Sequence, residues 1–417
     1  MPSGDGAAAD RPGSGAAAAE LAGPAMTYRA PRAIKDMLFT TWSLLNGLTG
    51  DQRQRALFGF DDPRRVDWDF IPKPDRTGIA LAELDRHQKL LAHTLLKAGL
   101  SLRGYSQALA VMATENILRE IEVLDRGFGV YAGDFRDPEA YLFSWFGRPA
   151  FEDTWGWRVI GHHLGCNYTV IGQEYLTVTP LVLGAQPVPA GVLNPLGESQ
   201  QRAFALLDSL DQGQRGAAVI HHRAPADFAT RQVPRVGAIE LPDHVDLGIE
   251  TYRIDDDDRW ALRFERCRPS GLTGAGMSAD QLTAARDLLL HFVESGPDEL
   301  SEQYRRVVRA EPPHTLTFAW AGGAGPDTSY YFRVSTAGLL AESDNAVAAG
   351  QHVHAVWRDL GNDLGHDLLA GHYARHDHRR GSAHLRRRLT SSETEDAEFI
   401  GQRSSASAGG MSPDERH

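Results

Sequence analysis

The chain has 417 residues, 42% of them apolar and 24% charged, with a formal net charge of −12. That is enough apolar chain for a sizeable core without covalent staples. The basic residues are scattered and nearly all Arg, with no basic stripe interleaved with aromatics, which argues against a nucleic-acid partner; no run approaches the ~20 apolar residues of a membrane span.

Residues 1–26, rich in Ala, Gly and Ser, lack the charged start and apolar stretch of a signal peptide. They read as a disordered extension, with translation from Met26 as an alternative to Met1. Two cysteines, Cys166 and Cys267, form no CxxC pair, which fits neither a disulfide framework nor a thiolate zinc site. A reducing, cytoplasmic compartment is the expectation.

Residues 33–125 read as mainly helical. Leu84, Leu91 and Leu95 share one face, and Leu109, Met112, Ile117, Ile121 and Leu124 repeat the spacing. A Pro- and Asp-rich connector, DDPRRVDWDFIPKPDRTG, interrupts them at 61–78. From about residue 150 β-branched and aromatic residues dominate. WGWRVIGHHLGCNYTVIG and QEYLTVTPLVLGA are expected as two antiparallel strands, broken at Gly172. Helices return over 198–212, 278–294 and 298–310, with Ser278 and Gln281 fitting a capping box. TLTFAWAGGAG and SYYFRVSTAGLLAESD form a hairpin pattern, HVHAVW a further strand and DLGHDLLAGHY a closing helix. Residues 379–417 read as a disordered tail. The expectation is a single α+β domain over 27–378, an N-terminal helical region packed on a mainly antiparallel sheet.

The common catalytic motifs are absent from the sequence: no GxSxG, no GxGxxG after a strand, no P-loop and no HExxH. The four lysines all lie before residue 100, away from the polar stretches, which disfavours a Schiff base. The histidines remain. His352 and His354 point the same way if HVHAVW is extended, their Cβ atoms ~7 Å apart at two strand rises. Two imidazoles so placed suit Zn, Cu, Fe or Ni. Glu342 and Asp344 share a face on the preceding strand and return through a short loop.

In WGWRVIGHHLGCNYT, strand alternation sets His163 with Asn167 and His162 with Cys166. Only one of the adjacent histidines then faces a common site. His163 is the choice, with His162 held by a backbone or carboxylate partner. Asp359, Asp363 and His366 are candidates for carboxylate support of a ligand, or for plain capping and surface pairing. Histidines on strands also commonly serve only polar networks. Cys166 reads as a small buried thiol, and His221–His222 as a loop pair without a partner. Trp155, Trp157, Trp320 and Trp357 either fill a core or wall a pocket. Arg158 and Arg358, beside two of them, are suited to clamping a carboxylate.

WGWRVIGHHLGCNYT, together with ESDNAVAAGQHVHAVWRDLGNDLGHDLLAGHY, FGFDDPRRVDWDFIP and LKAGLSLRGY, resembles the signatures of the uncharacterised family named domain of unknown function 3500. The resemblance spans roughly residues 28–378. It implies no cofactor and no reaction.

The residues themselves point to a metal-dependent enzyme, an oxidoreductase acting on a small, carboxylate-bearing molecule. His163, His352, His354 and Glu342 are the expected ligands of a transition-metal ion (Fe, Cu or Zn). Asp344, Arg158 and Arg358 are the expected catalytic groups, and His162, Asn167, Asp359, Asp363 and His366 the secondary candidates. A metal-activated hydrolase and a non-enzymatic small-molecule-binding protein stay open beside it. Neither nucleic acid nor membrane is an expected partner, and the oligomeric state is left open.

Overall fold

Apolar spacing of 3.6 gives way to spacing of 2 along this chain, and the elements follow that change. The computed structural model describes residues 26–71, 76–126, 136–225, 228–230, 232–236, 262–266, 268–325, 328–347 and 350–375. Nearly all of the expected extension, the expected tail, Cys267 and Lys73 lie outside them.

The helices among these residues are α1 (Pro31–Gly47), α2 (Gly50–Ala56), α3 (Arg86–Ala98), α4 (Leu102–Arg126), α5 (Gly197–Asp208), α6 (Gln212–Ala218), α7 (Ala279–Val293), α8 (Asp298–Ala310) and α9 (His366–Arg375). The strands are β1 (Leu57–Phe58), β2 (Ile79–Ala80), β3 (Leu142–Phe146), β4 (Thr154–Gly161), β5 (Leu164–Ile171), β6 (Tyr175–Thr177), β7 (Leu181–Ala185), β8 (Val219–His221), β9 (Leu272–Thr273), β10 (Thr317–Gly322), β11 (Tyr330–Ser335), β12 (Leu339–Val347) and β13 (His352–Asp359). They form one mixed sheet in the order β1-β3-β4-β5-β7-β13-β12-β11-β10-β8. Most pairings are antiparallel; β1 on β3 and β8 on β10 are parallel. The fold is α+β, as the sequence leads one to expect.

Helix termini follow their local chemistry. Ser278 Oγ accepts from Gln281 N while the Gln281 side chain accepts from Ser278 N, the expected capping box. Each long β-rich stretch, by contrast, holds two strands rather than one. WGWRVIGHHLGCNYTVIG turns back on itself at His162–His163, between β4 and β5. SYYFRVSTAGLLAESD turns at Thr336, where Thr336 N donates to Leu339 O. Alternation cannot reveal such a turn when both flanking strands are buried on both faces, as β4 and β5 are.

Helices cover one face of the sheet and form the main core with it. Trp155, Trp157, Trp320 and Trp357 are all buried in that core. At ~150–250 Å² each and about 25 cal/mol/Å², each ring contributes about 4–6 kcal/mol of transfer free energy. They fill a core and wall no pocket around the histidines. Connecting segments cover the opposite face. There Trp68 and Phe70 pack with Val182, Phe228, Val356 and Leu364. Alternation along β13 sorts its residues between the faces: Val353, Ala355 and Trp357 join the helix-side core, so His352, His354, Val356 and Arg358 face the connecting segments.

The backbone contacts divide the chain into two units, Met1–Gly365 and His366–His417. Everything above except α9 belongs to the first. In the second, His366 Nδ1 lies 3.1 Å from the carboxylate of its neighbour Asp367, both side chains about half exposed.

One close approach fixes the start of α4, the helix that delivers an acid to the site described next. Ser101 N donates to Ser295 O at 2.9 Å. A Cβ on Gly104 would overlap that same carbonyl oxygen. Because backbone cannot swing aside as a side chain can, Gly104→Ala is expected to cost about 1–3 kcal/mol of stability. Thermal unfolding measures it, and an unchanged Tm would contradict this account of the α4–α7 contact.

Candidate functional site

Four histidines gather on the face of the sheet opposite the helices. The β4–β5 hairpin pairs Gly161 with Leu164, so His162 and His163 are the two residues of its turn. His163 takes the left-handed conformation at φ 63°, which costs a residue with a Cβ about 1–2 kcal/mol. Its neighbours hold it there. His163 N donates to Phe70 O at 2.9 Å, and Gly184 N donates to His163 O at 2.7 Å. Tyr141 Oη donates to His162 O at 2.9 Å. Strain of this kind collects where surrounding structure over-determines a conformation.

β7 lies between β5 and β13 and places Gly184 opposite His354. The hairpin turn and the start of β13 therefore meet across a single strand. His163 Nε2 lies 2.7 Å from His352 Nε2. Ring centroids are 3.5 Å apart for His162 and His163, 4.5 Å for His352 and His354, and 5.4 Å for His163 and His354. Phe70 and Phe228 pack against the His354 ring, at 4.9 and 6.0 Å. Potential donor atoms of His162, His163 and His352 all lie within 4.8 Å of one another. These three histidines have the spacing to hold a metal ion.

Two carboxylates reach the cluster. Glu115, on the buried face of α4, puts Oε1 2.6 Å from His162 Nδ1 and 3.7 Å from His163 Nδ1. Asp344 pairs with His354 across β12 and β13, its Oδ1 3.4 Å from His354 Nδ1. Arg136 completes the polar shell. Its Nε and Nη2 donate to the two oxygens of Glu122 at 3.0 and 2.8 Å. Its Nη1 reaches His162, 2.6 Å from Nδ1 and 3.0 Å from Nε2.

Burial governs the charge states. His163 and Glu115 are fully buried and His162 nearly so. Desolvation, reinforced by the other imidazoles and by Arg136, keeps His162, His163 and His352 well below the usual imidazole range. Desolvation likewise pushes the Glu115 carboxyl up to about 8, against the opposing pull of Arg136. The imidazoles are neutral at neutral pH, and neutral imidazole is the form that ligates metal.

Several expected site residues stand elsewhere. Glu342 is buried in its own network: its carboxylate accepts from Tyr331 Oη at 2.7 Å and from the Thr230 hydroxyl. Arg158 Nη1 donates to the carbonyls of Arg64 and Asp67 at 2.7 and 2.6 Å. Arg358 Nε donates to Asp363 Oδ2 at 2.7 Å, and its Nη2 to Val233 O. These arginines hold connecting segments against the sheet.

Asn167 Nδ2 donates to Pro180 O. Asp359 accepts from the hydroxyls of Tyr28 and Tyr304. His366 belongs to the second unit. The Cys166 thiol is buried and pushed up to about 12 by desolvation, an inert state for a nucleophile. His221 bonds within its own turn, to Arg223 N at 3.1 Å.

Strand alternation left His162 out of the common site, but a turn sits where a continuous strand was expected and both histidines join the cluster; His162 has the carboxylate partner expected of it, Glu115. Sequence reasoning also missed Glu115 and Arg136. The buried face of α4 runs through Ala108, Val111, Met112, Glu115 and Leu118, while Leu109 and Ile121 are partly exposed. The expected apolar stripe was thus rotated away from the true one. A lone acid three residues from both Met112 and Leu118 is the signal that would have found Glu115. Arg136 follows a segment outside the described residues, and nothing local marks it.

The depressed imidazoles set the acid behaviour of the metal-free fold. Below pH 6.5 the unfolded chain binds protons that the buried rings refuse, so their contribution is complete above 6.5 and is lost as pH falls. Each ring adds up to about 1.4 kcal/mol per pH unit to that slope. His163→Asn, which tolerates the left-handed turn, is expected to flatten the acid limb by one ring's share. Urea unfolding between pH 5 and 7 in chelator measures it, and an unaltered slope would show that His163 titrates freely in the fold.

No curated protein and no solved structure matches this chain. Three of the four family signatures in the sequence are nevertheless segments that build the site: the β4–β5 hairpin, the Phe70 segment and β12–β13; the fourth, LKAGLSLRGY, joins α3 to α4. The chain belongs to the family described as protein of unknown function (DUF3500), whose model matches residues 31–366.

Proposed function

We propose that the histidine cluster binds a transition-metal ion and that the chain is a metal-dependent enzyme, an oxidoreductase acting on a small molecule. One observation carries the reading: carboxylates sit on the Nδ1 side of His162, His163 and His354. Once a nearby cation ionises it, a carboxylate on the Nδ1 side favours the tautomer with its proton on Nδ1 and frees the Nε2 lone pair for that ion. His163 Nε2 and His352 Nε2 already face each other. His163, His352 and His162 form the donor set, with His354 beside it. Asp344, expected from the sequence as a catalytic group, orients His354 in this reading, whereas the ligand role expected of Glu342 passes to His162.

An all-imidazole set suits Zn, Cu, Fe or Ni. Three imidazole ligands would leave coordination positions open to dioxygen or a substrate. The half-buried His352 marks the side from which a small molecule approaches. When bound, the ion supplies the redox or Lewis-acid chemistry. The chain's own residues orient the imidazoles and keep water away. A metal-activated hydrolase remains the neighbouring alternative. Activity that persists without dioxygen and with zinc in the site selects it.

Metal analysis of protein purified without chelator tests the reading. We expect about one transition-metal ion per chain, and loss of at least ninety per cent of it in His163→Ala and in His352→Ala. At a hundredfold excess over Kd, the ion should add about 2.7 kcal/mol to wild-type stability. No bound metal, and no thermal shift with Zn, Fe, Cu, Ni, Co or Mn, overturns it.

A second reading rests on Arg136, whose Nη1 lies 3.0 Å from His162 Nε2. There the guanidinium supplies the cation and the cluster is a metal-free polar network or binding pocket. Arg136→Gln separates the two. Under the metal reading it removes a competing cation and tightens metal binding about tenfold; under the second reading no metal binds either protein.

A further inference from the structure

We propose that Gly184 is a positioning residue of the histidine cluster: its missing side chain is the space in which the His163 and His354 rings pack side by side. The consequence for metal affinity rests on the metal reading above; the packing itself does not.

Gly184 is the fourth residue of a buried run, Leu181–Ala185, whose other members are Leu, Val, Leu and Ala. Glycine in a strand interior is costly, losing conformational entropy and packing nothing. Its backbone is ordinary, with no positive φ to require glycine. The space above it is what requires it. A Cβ at Gly184 would lie 2.9 Å from His163 Cδ2, 3.0 Å from His354 Cδ2 and 3.1 Å from His163 Cγ. Those distances are shorter than carbon–carbon contact at ~3.5–4.0 Å.

Neither ring can yield cheaply. His163 Cγ is one bond from its Cβ, and both backbone groups of His163 are tied, to Phe70 and to Gly184 itself. The His354 ring is backed by Phe70 and Phe228. One methyl group would therefore push the two imidazoles off their present positions and disturb the approach of His163 to His352. Gly165, in the neighbouring strand, provides the contrast. Its added Cβ would meet nothing closer than Asp69 O at 3.5 Å and Val182 Cβ at 3.8 Å.

The experiment compares Gly184→Ala with Gly165→Ala in the full chain. In chelated protein carrying 15N-labelled histidine, Gly184→Ala should move the ring resonances of His163 and His354, while Gly165→Ala leaves them in place. Titration with Co(II) should then show at least tenfold weaker binding and an altered visible spectrum for Gly184→Ala alone. A double-mutant cycle with His354→Ala covers poor folding: the added methyl should lower the folding constant at least tenfold less when the His354 ring is gone. Unmoved resonances, or a methyl that costs the same with and without His354, overturns the proposal. Absence of Co(II) binding by the wild type overturns the metal reading and leaves the resonances and the cycle to decide the role of Gly184.

Discussion

The hydrogen bond from Gly184 N to His163 O, at 2.7 Å, is where two distant parts of the chain become one site. It belongs to the contact of β7 with the β4–β5 hairpin on one side, while β7 pairs with β13 on the other. β7 is the strand through which the turn histidines and the β13 histidines are joined within the sheet. The sheet thus acts as the ruler that sets imidazole spacing. Strand separation of ~4.8 Å brings residues two strands apart within reach of long side chains.

Placing this much polar nitrogen in an interior is unfavourable unless each group finds a partner or stays uncharged. The protein does both. Desolvation holds the imidazoles neutral and lifts Glu115 toward its protonated form. Glu122 fixes the guanidinium of Arg136 through paired hydrogen bonds, which keeps this cation in a set direction. A site so poised has neutral donors and nearby latent negative charge.

The remaining buried charges divide between this site and the scaffold. Arg158 and Arg358 each donate to backbone carbonyls of the segments that cover the sheet. Both are fitted to that task by a planar fork of donors that stays charged when buried. The segment that Arg158 holds runs on to Phe70, whose carbonyl receives His163 N and whose ring packs on His354. Glu342 and Tyr331 form a separate buried pair along the same face.

Local chemistry determined much of this protein. Apolar periodicity marked the helices, the Ser278–Gln281 box marked the start of α7, and two-residue alternation put His352 and His354 on one face, as their 4.5 Å ring separation shows. The family was legible for the same reason, since its signatures are runs of consecutive residues. The tertiary structure alone decided what depends on turns and on registration between distant segments. A strand buried on both faces has no alternation to show where it reverses, so the His162–His163 turn was invisible. The acid on α4 and the arginine after it reach the cluster only once the helix is docked, because a helix's buried face is defined by what it packs against. The vacant side-chain position at Gly184 acquires meaning only when one ring from a hairpin turn and one from another strand come to lie over it.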